Sequence, residues 1–255
     1  MPGMFGTHHS KMLILFRIDD TAQVVIHTAN MIPHDWTNMT NGVWRSPLLP
    51  KLVEVSENAP RPGSETAEVG SGARFKKDLL AYLGAYNARG PVTRVLIGRL
   101  QEHDFSSVRA ALLASVPGSH SKNEAPWGWS ALRRTLGSVP CSDGEAGVVA
   151  VQVSSIATLG PKDTWLQQAM FESMRQSRQG ATRPAFKVVF PTADEIRRSL
   201  DGYASGNSIH TKIQSPQQVK QLEYLRPYLC HWANDSEKGA GLSTRASWII
   251  PGPVS

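Results

Sequence analysis

The sequence predicts an α/β protein, and three observations carry that reading. Two apolar, β-branched runs, Lys11 to Phe16 and Val24 to Asn30, flank the polar pair Asp19-Asp20 in the pattern of a hairpin. From Arg74 onward, apolar residues recur at helical spacing. Between Gly147 and Phe190 a strand-like run, a helical run and a second strand-like run follow one another, the alternation that builds mostly parallel or mixed sheets with helices on their faces. With 255 residues, 40% of them hydrophobic, the chain can bury one large core or two small ones.

In chain order, Lys11 to Phe16 is apolar after its first residue, and such a strand needs neighbours on both edges and cover on both faces. Pro33 to Trp36 ends the second strand, and Asn38 to Gly42 reads as a loop before Val43-Trp44. Glu57 to Gly72, rich in Pro, Gly, Ser and Glu, has no packing pattern and reads as a surface loop. Phe75, Leu79, Leu80, Leu83 and Tyr86 mark a helix that stops between Asn87 and Pro91. A second helix is expected over Phe105 to Ala114, ahead of a boundary at Val116-Pro117-Gly118 that separates segment 1–117 from segment 118–233, with a tail over 234–255.

Beyond that boundary, Trp127 to Leu136 has helical spacing and Gly147 to Val153 reads as a buried-type strand. Pro161 to Met174 reads as a helix with Trp165, Leu166, Ala169 and Met170 on its apolar face, and Phe186 to Phe190 as the next strand. Asp194 to Leu200 and Gln217 to Leu229 look like two more helices.

The residues with chemistry cluster early. His9 and Lys11 sit two apart ahead of the first strand, so both point to one side of an extended backbone, while His8 lies on the other side and reads, like His27, as structural or as a support behind the site residues. The hairpin returns the chain so that Asn30 lies near the pair. A neutral imidazole attacks phosphorus or moves a proton near pH 7, a lysine supplies fixed charge for a phosphoryl oxygen, and an amide donates a neutral hydrogen bond to the same group. Phosphate-ester chemistry is the implied class. The second pair, His210-x-Lys212, is followed by Ile213-Gln214-Ser215-Pro216 and a helix-like run rather than a strand, so it is not expected to complete this site.

Gly6-Thr7-His8-His9-Ser10-Lys11, Val24-Val25-Ile26-His27-Thr28-Ala29-Asn30 and Asp35-Trp36 together resemble the tyrosyl-DNA phosphodiesterase family of the phospholipase D superfamily. The likeness continues in order through Gly42-Val43-Trp44-Arg45-Ser46-Pro47-Leu48, Phe75-Lys76-Lys77-Asp78-Leu79, Ala85-Tyr86-Asn87, Val153-Ser154-Ser155, Leu200-Asp201-Gly202-Tyr203 and His231-Trp232. It implies a phospholipase D-like fold of two pseudo-symmetric halves with mixed or parallel sheets flanked by helices, both halves incomplete here. It implies that His9 is the nucleophile, forming a phosphohistidine with the 3′ phosphate of DNA, and that Lys11 and Asn30 hold the phosphate oxygens. A second histidine of the family serves as acid and then base, and no metal or cofactor takes part. By the same resemblance Ser154 and Ser155 donate to backbone phosphates, Ser208 belongs to a segment facing the DNA strand, and Phe5 and Thr7 line the DNA groove. The partners implied are single- and double-stranded DNA 3′ ends and covalent topoisomerase–DNA adducts, and the location implied is the nucleus.

The formal charge of +6 fits an anionic partner. Cys141 and Cys230 are the only cysteines, which argues against a disulfide framework or a thiolate metal site. The apolar runs are too short to span a bilayer, and Met1-Pro2-Gly3-Met4 has no leader pattern. Lipid hydrolysis is disfavoured, because the superfamily's aspartate six positions after the lysine is replaced by Arg17, with Asp19 out of register. Arg133-Arg134 and Arg197-Arg198 read as solvated helix faces. The chain departs from the family at both ends: the first motif stands at residue 9, and no second His-x-Lys strand follows His231-Trp232. The expectation is a truncated gene product with half the catalytic apparatus, impaired in hydrolysis, or alternatively a catalytically inactive DNA-end-binding fragment.

Overall fold

The computed structural model describes residues 9–37, 39, 41–53, 67–87, 90–118, 120, 126–141, 147–153, 155–181, 183–204, 210–211 and 215–230. Most of the expected loop over 57–72 and the expected tail over 234–255 lie outside the described residues. The chain forms two compact units, Met1–Ser138 and Val139–Ser255, a later division than the one expected at residue 117.

In the first unit β1 (Met12–Phe16) and β2 (Thr21–His27) form an antiparallel hairpin, with Met12 opposite Ile26 and Phe16 opposite Ala22. Asp19 closes the turn: its carboxylate accepts from Thr21 Oγ1 at 2.7 Å and pairs with Arg17 at 3.1 Å. Asp20 takes a φ of 57°, a left-handed conformation that aspartate tolerates better than most side chains. After the short helix α1 (Pro33–Thr37), β3 (Val43–Arg45) and β4 (Leu49–Pro50) both pair antiparallel with β2. Among the described residues β1 is an edge strand, and Leu15 on its second face is 44% exposed.

The other face is packed. Met12, Ile14 and Phe16 of β1 and Ala22, Val24 and Ile26 of β2 lie against Phe75, Leu79 and Leu83 of α2 (Gly72–Asn87) and Leu100 of α3 (Pro91–Gln101). The helix expected over Phe105–Ala114 does not form. The second helix is instead α3, with Pro91 in its first turn, where a missing N–H costs nothing and the fixed φ is already helical. Residues 105–114 run irregularly, yet Phe105 and Val108 are buried in the same core.

Gly72 starts α2 because no side chain fits there: a Cβ would lie 1.7 Å from the carbonyl oxygen of Phe105. Lys76 donates to the carbonyls of Gln101 at 2.8 Å and His103 at 2.7 Å, closing the end of α3. Burial pushes its ammonium below the ordinary 10.5, against the opposing charge of Asp104. Helix α4 (Gly128–Leu136) forms where its spacing predicts.

The second unit contains β5 (Val148–Gln152), β6 (Ser155–Ile156), a π-helical turn over Leu166–Phe171 running into α5 (Glu172–Met174), the two-residue strands β7 (Gln176–Ser177) and β8 (Gly180–Ala181), and β9 (Ala185–Val189). Then come α6 (Ala193–Arg197), β10 (His210–Thr211), α7 (Pro216–Leu225), a 3-10 turn over Arg226–Tyr228 and β11 (Leu229–Cys230). β5 and β11 flank β9, all three parallel, so the β–helix–β alternation is realised. β5 is not the buried strand expected: an edge strand among the described residues, it alternates exposed Val148, Ala150 and Gln152 with half-buried Val149 and Val151.

The helix expected over Pro161–Met174 is present but widened in its middle. The wider turn sets Leu166, Met170 and Phe171 together on the buried side, where Phe171 stacks on Phe186 at 3.8 Å and meets the edge of Tyr228 at 4.9 Å. α7 ends at Leu225 rather than continuing to Leu229, because Pro227 has no N–H for the next helical bond. Capping boxes start the last two helices, Thr192 with Glu195 in α6 and Ser215 with Gln218 in α7.

Candidate phosphate site at the head of the hairpin

The site is built on the residues that precede β1. The His27 N–H donates to the Lys11 carbonyl at 3.1 Å, extending the β1–β2 ladder by one step beyond Met12. The Lys11 ammonium lies 2.8 Å from His9 Nδ1 and 3.2 Å from Nε2, and donates to the His9 carbonyl at 3.1 Å. An ammonium has no lone pair, so in this contact the ring nitrogen accepts. His9 is exposed and Lys11 half-buried, so both are reachable by a solute. From the core side, the Tyr82 hydroxyl of α2 donates to Ser10 Oγ at 2.8 Å and ties the segment between them to the helix.

Asn30 stands just past the end of β2. Its backbone N–H and its side-chain Nδ2 both donate to Asp35 Oδ2, at 2.6 and 2.8 Å, and the Trp36 indole N–H donates to the Asn30 carbonyl at 2.8 Å. Asp35 is only 7% exposed. The Asn30 backbone N–H, above all, holds its carboxyl below the usual carboxylate range; burial opposes this, and the Asn30 side chain and the charges of His34 and Lys11 add to it. Asn41 braces the same turn, donating to the Asp35 carbonyl at 2.6 Å and accepting from Thr28 Oγ1 at 3.0 Å. His27 is buried behind this layer, its ring 5.7 Å from that of Trp36, and its Nδ1 has no hydrogen-bond partner among the described residues.

His9 and Lys11 are therefore in contact, and Asn30 is held by a carboxylate that lies within the field of the Lys11 charge. Asp35 and Trp36 enter the sequence analysis only as part of the family motif and Asn41 only as a loop residue, and none of the three is given a role in the site there. Their signal was an acidic residue in the first turn of a short helix directly after Asn30.

Of the predicted DNA-contacting residues, Ser155 is exposed in β6 of the second unit, where β10 runs parallel to it with His210 opposite. Side chains of α7 fix the loop that follows. Gln221 accepts from the Leu159 N–H at 2.7 Å and donates to the Ala157 carbonyl at 2.8 Å, Gln218 donates to Thr158 Oγ1 at 3.1 Å, and Tyr224 donates to the Gly160 carbonyl at 3.1 Å. Phe5, Thr7, Ser154, Ser208 and Lys212 lie outside the described residues. Among the described residues no group of three His, Cys, Asp or Glu side chains is placed to hold a metal ion, and no helix is long and apolar enough to cross a membrane.

A family model described as tyrosyl-DNA phosphodiesterase matches residues 1–249. A probable tyrosyl-DNA phosphodiesterase of Schizosaccharomyces pombe is 29% identical over 282 residues, which cover 90% of this chain and 51% of the relative. Tyrosyl-DNA phosphodiesterase 1 of Drosophila melanogaster is 32% identical, over 91% of this chain and 39% of its own. The crystal structure of the yeast tyrosyl-DNA phosphodiesterase matches with a TM-score of 0.66 at 18% identity, covering 92% of this chain and 54% of that one. The chain thus spans about half the length, or less, of these relatives, and its α/β fold is phospholipase D-like. With nearly its whole length matched, the chain belongs to the tyrosyl-DNA phosphodiesterase family.

Proposed function

We propose that this chain acts on DNA 3′ ends as a phosphodiesterase of DNA repair, cleaving 3′-phosphotyrosyl and other 3′-adduct bonds through a phosphohistidine on His9. The observation that supports this best is the His9–Lys11 contact at the head of β1, open to solvent, with the Asn30 amide bonded to Asp35, a carboxylate that feels the Lys11 charge. A ring nitrogen of His9 attacks phosphorus and the bond to the tyrosine oxygen breaks, that oxygen taking up a proton. Water then attacks the same phosphorus, the bond to His9 breaks, and a 3′-phosphate leaves. Lys11 and Asn30 hold the non-bridging oxygens, whose charge grows in each transition state. Phe5, Thr7, Ser154, Ser155 and Ser208 contact the DNA strand without reading its bases.

Slow hydrolysis is part of this proposal: a general acid for the leaving oxygen contributes about a hundred- to ten-thousandfold, and the proposal gives that role to none of His9, Lys11 and Asn30. DNA 3′ ends and covalent topoisomerase adducts as partners, and the nucleus as location, belong to the same proposal. The test is incubation of the purified chain with a 3′-phosphotyrosyl oligonucleotide. Slow turnover that His9→Ala abolishes supports the enzyme. Salt-sensitive binding without turnover supports the DNA-end-binding alternative. Turnover that survives His9→Ala and disappears in His210→Ala would move the nucleophile from His9 to His210 and refute the proposal.

A further inference from the structure

We infer that Asp35 is the positioning residue that fixes which end of the Asn30 amide meets the phosphate, an inference that rests on the phosphate-site reading of His9, Lys11 and Asn30. An asparagine side chain carries a donor end and an acceptor end of nearly the same shape, and only the donor end suits a phosphoryl oxygen. Something must choose between them.

Asp35 makes that choice by chemistry. Its Oδ2 accepts from the Asn30 side-chain Nδ2 at 2.8 Å and from the Asn30 backbone N–H at 2.6 Å. An ionised carboxylate only accepts, so it draws the amide nitrogen toward itself and would repel the amide oxygen were the group turned over. One N–H of Asn30 is thereby committed to Asp35, and its second N–H projects away from the carboxylate. Two further bonds hold the frame: Trp36 Nε1 on the Asn30 carbonyl at 2.8 Å and Asn41 Nδ2 on the Asp35 carbonyl at 2.6 Å. Asp35 is itself 7% exposed, so the carboxylate is a fixed part of the wall rather than a surface charge free to swing.

The experiment uses the full chain and compares two single-stranded oligonucleotides of the same sequence, one ending in a 3′-phosphate and one in a 3′-hydroxyl. Wild type prefers the phosphate. Asp35→Asn, which keeps the shape and lets either end of the Asn30 amide face residue 35, should cut that preference roughly tenfold, the loss expected for one hydrogen bond to a charged group. In an Asn30→Ala background the same change should cost nothing more, because Asp35 acts through Asn30. A full effect of Asp35→Asn in that background, or no effect in the wild-type one, overturns the inference and leaves the site reading standing. A wild-type chain with no preference for the 3′-phosphate sinks the site reading and this inference with it. A measurement that needs no variant to fold is the NMR signal of the Asn30 side-chain amide: an Nδ2 proton shifted downfield and protected from solvent exchange supports the bond to Asp35, and two protons exchanging with water as fast as those of an exposed asparagine refute it.

Discussion

Replacing Gly72 by alanine tests the packing that carries the hairpin. A Cβ at this position falls 1.7 Å from the Phe105 carbonyl oxygen and 2.5 Å from its carbon, whereas ordinary contact begins at 3.4 Å. The backbones must separate by about 1.7 Å, the difference between 3.4 and 1.7. Neither side yields easily. Phe105 is buried and stacked near Phe75, its ring under the Lys76 ammonium, and Phe75 is held in turn by Trp44 at 5.1 Å. Because the obstacle is backbone and not the tip of a flexible side chain, the cost belongs at the upper end of overpacking penalties, about 3 kcal/mol. For a domain of this size that lowers Tm by about 6–12 °C. Thermal unfolding of the full chain by circular dichroism measures it. Gly84 is the control: it lies in the same helix with nothing within 4 Å of its added Cβ, so Gly84→Ala should be neutral or stabilising by up to about 1 kcal/mol. If both variants melt with the wild type, the contact between the start of α2 and residue 105 is not as described.

Lys76→Met removes both bonds to the carbonyls at and just past the end of α3 and should cost about 1–2 kcal/mol, read as a shift in denaturation midpoint; no shift would mean that water replaces the ammonium freely. Phe171→Ala empties the aromatic cluster of the second unit and should cost about 3–5 kcal/mol, with the loss confined to the transition reported by that unit's amides in hydrogen exchange. The Asp35 carboxyl titrates below 3.8 in the folded chain, so its stabilising bonds are fully present above the ordinary carboxylate range and are lost as pH falls through the lowered value. Protection of the Asn30 backbone amide should therefore hold from neutral pH down to about pH 4, and its loss between about pH 5 and 6 would contradict that linkage. His9→Ala should leave the melting temperature within about 2 °C of wild type, since the ring is exposed and does not pack in the core, while abolishing turnover.

Where apolar periodicity and turn chemistry agreed, the fold was legible from the residues. Asp19-Asp20 marked a hairpin that the structure closes through the Asp19 carboxylate, and Phe75, Leu79 and Leu83 marked the buried stripe of α2. The failure over 105–114 has a definite cause. Phe105, Val108 and Leu112 repeat at helical intervals, but that spacing records only which residues are buried, and an irregular segment wedged against Gly72 buries them equally well. Pro91 marks the end of one helix in the sequence and also opens the next in the structure. At the candidate site, the nearness of His9 and Lys11 follows from the two-residue period of a strand, which the sequence displays. The clamp on Asn30 does not. It depends on the chain turning back through α1 so that Asp35 reaches the amide five residues earlier, and no periodicity encodes that reversal.

The glutamine and tyrosine side chains that α7 lays across residues 157–160 bear on how an oligonucleotide would bind beside Ser155. Gln221, buried and using both ends of its amide on that backbone, has ordered the loop before any ligand arrives. If the proposed contact is made, association there forfeits little conformational freedom, and its affinity depends on charge and shape rather than on a loop that must first freeze.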